Sequence, residues 1–181
     1  MTALPTGLDT TGTWPLDASH ATTAFTVRHA GISKVRGSFG ELKGALEVGQ
    51  DLESLSFSAE ISTASVTTGN DGRDDHLRSG DFFDAEQFPT ITFTSTSVTP
   101  DAIVGDLTIH GVTKSVSLDW EYEGAATDPF GTYRAGFTAE TKISRKEFGL
   151  TWNAALEAGG VLVADEVKIA IEAEFTKPEA A

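Results

Sequence analysis

Four histidines, at positions 20, 29, 76 and 110, are the soft metal ligands and proton carriers this chain could use near neutral pH. No two stand at the i, i+4 spacing of a helix or the His-x-His spacing of a strand, so the pattern argues against a zinc site. Cysteine is absent, which excludes thiolate metal centres, disulfides and a cysteine nucleophile. For a serine nucleophile the nearest approach is Gly31-Ile32-Ser33-Lys34-Val35, which lacks the closing glycine of a nucleophile elbow and its strand-turn-helix setting. No phosphate-cradling glycine motif occurs. Asn70, Asp71, Asp74 and Asp75 share only composition with a calcium loop, because the alternating acids, glycine and closing glutamate are missing. No spacing singles out a carboxylate pair for glycoside hydrolysis among the 27 acids. What remains for catalysis is His29 or His76 as a base toward a hydrophobic substrate, and either would need a partner within hydrogen-bond reach. The expectation is therefore no metal, no cofactor and no enzymatic activity.

The elements that would position such residues follow from length and patterning. At 181 residues, 39% apolar and 22% charged, the chain fits one globular domain, expected over residues 12–176. Thirteen Lys and Arg against 27 Asp and Glu give a net charge of −14, a long-range field that disfavours nucleic acid as a partner. Met1 to Asp9 has no Lys, Arg or apolar run of the kind a signal peptide needs, and no stretch is long enough to be a transmembrane helix. The expected location is the cytoplasm.

About a fifth of the residues are Ser or Thr, and apolar residues alternate with polar ones in run after run. Leu55, Phe57, Ala59 and Ile61 share one face, with Ser54, Ser56, Ser58 and Glu60 on the other. The same period of two recurs through Phe25 and Val27, Val35 to Phe39, Ile91 and Phe93, Ile103 to Ile109, Val116 to Tyr122, Tyr133 to Ile143, and Val167 to Phe175. About eight antiparallel strands with one dry face each predict an all-β barrel or sandwich. Between Thr68 and Phe88 the alternation stops, and Asp71 and Asp81 are placed to cap two short helical turns. These turns would gather Leu77, Phe82, Phe83 and Phe88 into a cluster over one barrel end. Residues 148–156 read as a second non-strand segment, and Met1 to Thr11 and Lys177 to Ala181 as frayed ends.

A filled barrel and a hollow one share this periodicity. Small residues at Gly37, Ala59, Gly105, Ala135, Ala139 and Ala173 fall on the same faces as the large rings, which favours a cavity. Its expected ligand contacts are Phe25, Val27, His29, Val35, Phe39, Leu42, Phe57, Ala59, Ile61, Phe93, Leu107, Leu118, Trp120 and Phe137 from the strands. Phe82 and Phe83 join them from the cap, and Phe148 and Trp152 from the later loop.

Four ordered motifs carry a resemblance: LDASHATTAFTVRHAGISKVRGSFGELKGALE (Leu16 to Glu47), DDHLRSGDFFDAEQFPTITFTS (Asp74 to Ser95), GDLTIHGVTKSVSL (Gly105 to Leu118) and ISRKEFGLTWN (Ile143 to Asn153). Together, over Gly12 to Phe175, the chain resembles the YceI-like family of bacterial lipid-binding proteins. The resemblance implies an antiparallel eight-stranded lipocalin-like β-barrel with a short helical cap. It also implies an elongated hydrophobic cavity for a long-chain amphiphile, such as a polyisoprenoid, a prenylated quinone or a fatty amide. The matching motif residues are Asp17, His20, His29, Gly37, Phe39, His76, Leu77, Arg78, Asp81, Phe82, Pro89, Phe93, Gly105, Leu107, Gly111, Arg145, Phe148 and Gly149, most of them with architectural roles. Two features depart from the family pattern: many members are exported behind a signal peptide, and an aromatic often stands where this chain has Leu42.

Three functional classes follow: a carrier, store or scavenger of an isoprenoid or fatty amphiphile, an enzyme working inside the barrel, and a solid-cored interaction domain using its acidic face. The acidic field favours a neutral head group unless Lys34, Arg36, Arg78, Arg145 or Lys146 gather at the opening. A homodimer is compatible with the sequence.

Overall fold

The structure is a computed structural model that describes residues 1–179. Its strands are β1 (Gly12–His29), β2 (Ser33–Phe39), β3 (Leu42–Val48), β4 (Ser56–Ser62), β5 (Val66–Thr67), β6 (Thr90–Val98), β7 (Ile103–Ile109), β8 (Val112–Thr127), β9 (Tyr133–Ser144) and β10 (Val163–Thr176). One α-helix, α1 (Asp71–Arg78), lies between β5 and β6. All pairings are antiparallel, and β10 returns to pair with β1, so the sheet closes. β2 and β3 are the two halves of one strand bent at Gly40-Glu41, since both pair with β1. β4 and β5 are likewise halves of one strand, interrupted by a 3-10 turn at Thr63–Ser65. Counting each bent strand once gives the expected ring of eight, a closed barrel.

Register places the apolar faces together. Val27 lies opposite both Val35 and Val167, Phe25 opposite Gly37 and Ile169, and Ala59 opposite Phe93. With a period of two, one such alignment turns every apolar member of these strands inward. The β7–β8 hairpin turns at His110 and Gly111, both at positive φ (54° and 72°), as a two-residue hairpin turn requires.

The two barrel ends differ. The lower end, where β1 begins and β10 finishes, is packed with Trp14, Leu46, Val48, Leu55, Phe137 and Phe175, all at most 6% exposed. The N-terminal segment expected to fray is instead part of this plug. Leu8 is fully buried, Tyr122 and Tyr133 donate to the carbonyls of Thr6 and Gly7, and the Trp14 indole donates to Thr10. The Thr2 hydroxyl and amide bind Glu53 and hold its carboxyl down to about 2. A buried leucine with two tyrosine hydroxyls needing acceptors outweighs the entropy of a free end. At the other terminus Lys177 donates to Tyr133 and its ammonium lies over the Tyr133 ring; Ala180 and Ala181 lie outside the described residues.

The upper end is roofed by α1, by the turns that follow it and by the β9–β10 connection. Asn70, not Asp71, caps α1, accepting from the Arg73 amide. No second helix forms, because Asp81 binds the His76 ring instead of capping, and residues 79–88 make successive turns.

Candidate functional site

Above the packed lower end the barrel axis is empty, leaving an apolar cavity of about 370 Å³. That lies at the lower end of the range for small-molecule sites, about 300–1,000 Å³. Its walls run from Val167 to Ala173 along β10, about 20 Å at the usual rise per residue. Exposed Arg28, His29 and Arg73 on the wall mark where it reaches solvent, between the β1–β2 hairpin and α1.

The hollow comes from how the large rings are stowed. A Cβ on Gly37 would lie 2.3 Å from the Phe25 ring, and one on Gly105 would lie 2.5 Å from the Phe93 ring. Each phenyl lies over a glycine on the neighbouring strand instead of reaching toward the axis. These two glycines are therefore not themselves the empty space: they are occupied, and the axis is clear because of it. Ala135 is fully buried in the lower plug and takes no part, whereas Ala59, Ala139 and Ala173 do face the cavity.

The strand residues Phe25, Val27, His29, Val35, Phe39, Leu42, Phe57, Ala59, Ile61, Phe93, Leu107, Leu118 and Phe137 all line this space, as do Phe82, Phe83 and Trp152. Two candidates do not. Trp120 packs on Phe57 and Phe137 and donates its indole N–H to the Thr99 carbonyl, so it belongs to the plug. Phe148, 1% exposed, belongs to the buried apolar cluster of the upper half that also holds Leu107, Ile109 and Leu150. Pairing of β8 with β9 begins only at Asp119↔Glu140, so Val112–Leu118 have no β9 partner. The 3-10 turn Arg145–Phe148 follows β9 at this level, and Phe148 is buried there without lining the cavity.

Sequence reasoning missed Val167, Ile169 and Ile171 as wall residues, together with Ile91, Ile143 and Leu150. The alternation of β10 was the available signal, because those three residues share a face with Ala173.

The roof is held by charged groups whose hydrogen bonds are spent on the protein. Arg145, 3% exposed, donates to the carbonyls of Ala164, Leu150, Trp152 and Val163 at 2.6–3.2 Å. Burial pulls its guanidinium below the ordinary arginine range. Arg78 ties α1 to the carbonyls of Ala64 and Val66 and pairs with Asp75. Asp74, 5% exposed, accepts from the Thr68 hydroxyl and amide, which hold its carboxyl below the usual range. The Asp81 carboxylate accepts from His76 Nε2 at 2.9 Å, and the His76 ring stands edge-on to Phe82 and Trp152, with centroids 5.0 and 4.7 Å away. Phe88 leaves this cluster and packs on His110, 4.6 Å between centroids. His20, outside the barrel, binds Asp17 at 3.0 Å. Among the described residues, no group of three His, Asp or Glu is placed to hold a metal.

A closed antiparallel barrel, plugged at one end and hollow beneath a roof at the other, is a lipocalin-like container. The sequence profile described as the YceI-like domain matches residues 14–175, and the chain belongs to that family. The UPF0312 protein SAB2563 of Staphylococcus aureus is 40% identical over 165 residues, which cover 90% of this chain and 96% of the relative. Among solved structures, the YceI protein of Campylobacter jejuni superposes with a TM-score of 0.70 at 31% identity, covering 84% of this chain and 90% of its own. Burkholderia cenocepacia BcnA shares the fold with a TM-score of 0.76 at 20% identity, over 88% and 98% of the two chains. A polyisoprenoid binding domain from Saccharophagus degradans does so at 0.72 and 15% identity, over 93% and 100%.

Proposed function

We propose that this protein binds the tail of a long-chain amphiphile, a polyisoprenoid or prenylated quinone, along the barrel axis, and carries or stores it. The observation that carries this reading is an unfilled axis with apolar walls. Each buried CH₂-sized group of a tail contributes about 0.8 kcal/mol, so affinity needs no polar contact. The fold shared with a polyisoprenoid binding domain points the same way. Arg145 and Arg78 are committed to backbone carbonyls, whereas Lys34 and Arg36 stand with Arg28 on the β1–β2 hairpin beside the opening, so a polar head lying near His29 and Arg73 would meet a locally basic rim. Among the described residues no helix is long and apolar enough to cross a membrane; the setting proposed is cytoplasmic, at the inner membrane surface. Binding without catalysis is the role proposed; no cofactor beyond the lipid is invoked.

Organic extraction of the purified protein followed by mass spectrometry should return one amphiphile in near-stoichiometric amount. Prenylated quinone should quench the fluorescence of Trp152, which lines the cavity. A clean extract together with no quenching by quinones of any tail length would overturn the proposal.

A further inference from the structure

We infer that the mouth end of the barrel is a docking surface for an anionic lipid bilayer, with two apolar hairpin tips that enter the bilayer beside the opening. This rests on the lipid-binding reading, since docking there would let a tail pass from bilayer to cavity without crossing water.

The first observation is the pair of exposed aliphatic side chains at the mouth; Met1 and Phe130, the other large apolar side chains in solvent, lie at the far end. Ile32, at the tip of the β1–β2 hairpin, is 84% exposed, and Val161 is 50% exposed on the small hairpin closed by the Ala155↔Val161 bridge. The two tips are neighbours: the Ala30 amide donates to the Leu162 carbonyl at 2.7 Å, and His29 pairs with Val163. His29, Leu162 and Val163 all line the cavity, so both tips flank its opening. From Ala154 to Leu162 the second hairpin carries a single charge, Glu157. Ile32 is left without apolar cover at a tip that flanks the opening, where a bilayer would supply that cover.

The second observation is electrostatic and independent of the first. From Ala18 to Gly40 the chain has no acid, and its cations there are Arg28, Lys34 and Arg36. Arg28 lies directly opposite Lys34, and Arg36 lies opposite Thr26. Like charges facing one another across a strand pair are unfavourable, so the fold gains nothing from this arrangement. None of the three forms an ion pair among the described residues. Of the acids near the second hairpin, Asp165 is engaged by the Ser144 hydroxyl and the Lys146 amide and Glu166 by Lys142, while Glu157 on the hairpin itself has no ion pair among the described residues. The opposite end carries Asp9, Asp51, Asp101 and Asp128 at its turns and N-terminal segment. The roof across the opening carries Asp71, Asp74, Asp75, Asp81, Asp84 and Glu86 against Arg73 and Arg78, so the basic strip belongs to the β1–β2 hairpin side of the mouth and that side is the one that would face the bilayer. Screening over about 8 Å at physiological ionic strength leaves the local cations in command at contact. Basic residues beside inserted apolar ones are the combination that an anionic interface favours.

Flotation of delipidated protein with phosphatidylcholine vesicles, with and without phosphatidylglycerol and at low and high salt, tests the inference. Binding should require phosphatidylglycerol and fall with salt. Ile32→Asp and Val161→Asp should each weaken it about tenfold or more, and each of Arg28→Gln, Lys34→Gln and Arg36→Gln about fivefold, the weight of one cation at such a surface. Phe130→Asp should leave binding unchanged, because Phe130 is 93% exposed at the far end, in the β8–β9 turn. Equal flotation with and without phosphatidylglycerol, no flotation at all, or an effect of Phe130→Asp equal to that of Ile32→Asp would overturn the inference. So would sedimentation velocity showing a dimer that Ile32→Asp disperses, which would assign the face to a second copy. Circular dichroism and thermal melting of the same variants show that they are folded, and quinone loading in detergent solution is measured separately. Loading without docking removes this inference alone, and docking without loading removes the carrier reading alone.

Discussion

The two halves of the barrel are written in the same alternating code and end in opposite states. At the lower end Phe57 meets Phe137, Phe175 and Trp120 edge-on at 5.3–6.4 Å, and the rings fill the axis. In the upper half Phe25 and Phe93 are equally large and equally inward, yet each lies over a glycine and leaves the axis open. The N-terminal segment adds a second difference, because Leu8 and the Thr6 and Gly7 carbonyls complete the lower plug whereas the upper end is covered by one short helix and turns. Whether a β-barrel is a core or a container is thus set by what stands opposite each ring, not by how many rings there are.

The largest effect expected from breaking this contrast is on the plug. Trp14 is fully buried and its indole N–H is satisfied by Thr10. Trp14→Ala should cost about 3–5 kcal/mol by chemical denaturation, with quinone affinity unchanged under conditions where the variant is folded. A loss below about 1 kcal/mol would show that the lower end does not hold the barrel shut.

Next come the glycines that stow the rings. Gly105→Ala should cost more than Gly37→Ala, because its Cβ would also meet the Thr94 carbonyl at 2.6 Å, a backbone atom that cannot rotate away. At Gly37 the clash is with the Phe25 ring alone, which can swing into the cavity, so overpacking should cost about 1–3 kcal/mol and the tail-length optimum should shorten. Equal denaturation midpoints for the two variants, with unaltered tail preference, would separate the rings from the hollow.

Ala139→Phe attacks the cavity without touching the plug. Ala139 lies on the wall opposite Ile171, and a phenyl there would occupy space that is now empty. Loading of long tails should be lost while stability changes by less than about 1.5 kcal/mol. Retained loading with a normal melt would move the tail elsewhere.

Much of this contrast is legible in the sequence. Alternation decides which residues face inward, and the pairing of Phe25 with Gly37 and of Phe93 with Ala59 turns those faces into one surface. The glycines are visible as small inward residues, but whether they are space or seats depends on cross-strand register, which a single chain does not display. The N-terminal segment reads as a frayed end because its anchors, Tyr122 and Tyr133, lie more than a hundred residues away in the chain. Phe148 reads as a cavity residue because nothing local records that β8 and β9 diverge above Asp119.

The smallest effect expected concerns acid. Outside the lower barrel wall Arg134 donates to Asp17, to Asp128 at 2.8 Å and to Glu174 at 3.3 Å. The Ser19 hydroxyl, with Arg134 and His20, holds the Asp17 carboxyl well below its usual range, and Arg134, with the Thr132 amide, lowers Asp128. A carboxylate whose folded pKa is depressed stabilises the fold fully above its unfolded value, about 3.9, and loses that contribution as pH falls toward the folded value. The upper roof has lowered carboxyls too, but there hydroxyls come first: Thr68 for Asp74 and Ser144 for Asp165. Arg134→Gln should therefore raise the midpoint of acid unfolding and leave the pH dependence of tail loading above about pH 5 the same as in wild type. Added salt should weaken the wild-type advantage, because this ion-pair network is partly exposed and screened. An acid midpoint that is the same in Arg134→Gln and wild type would mean that the lower end owes its closure to apolar packing alone.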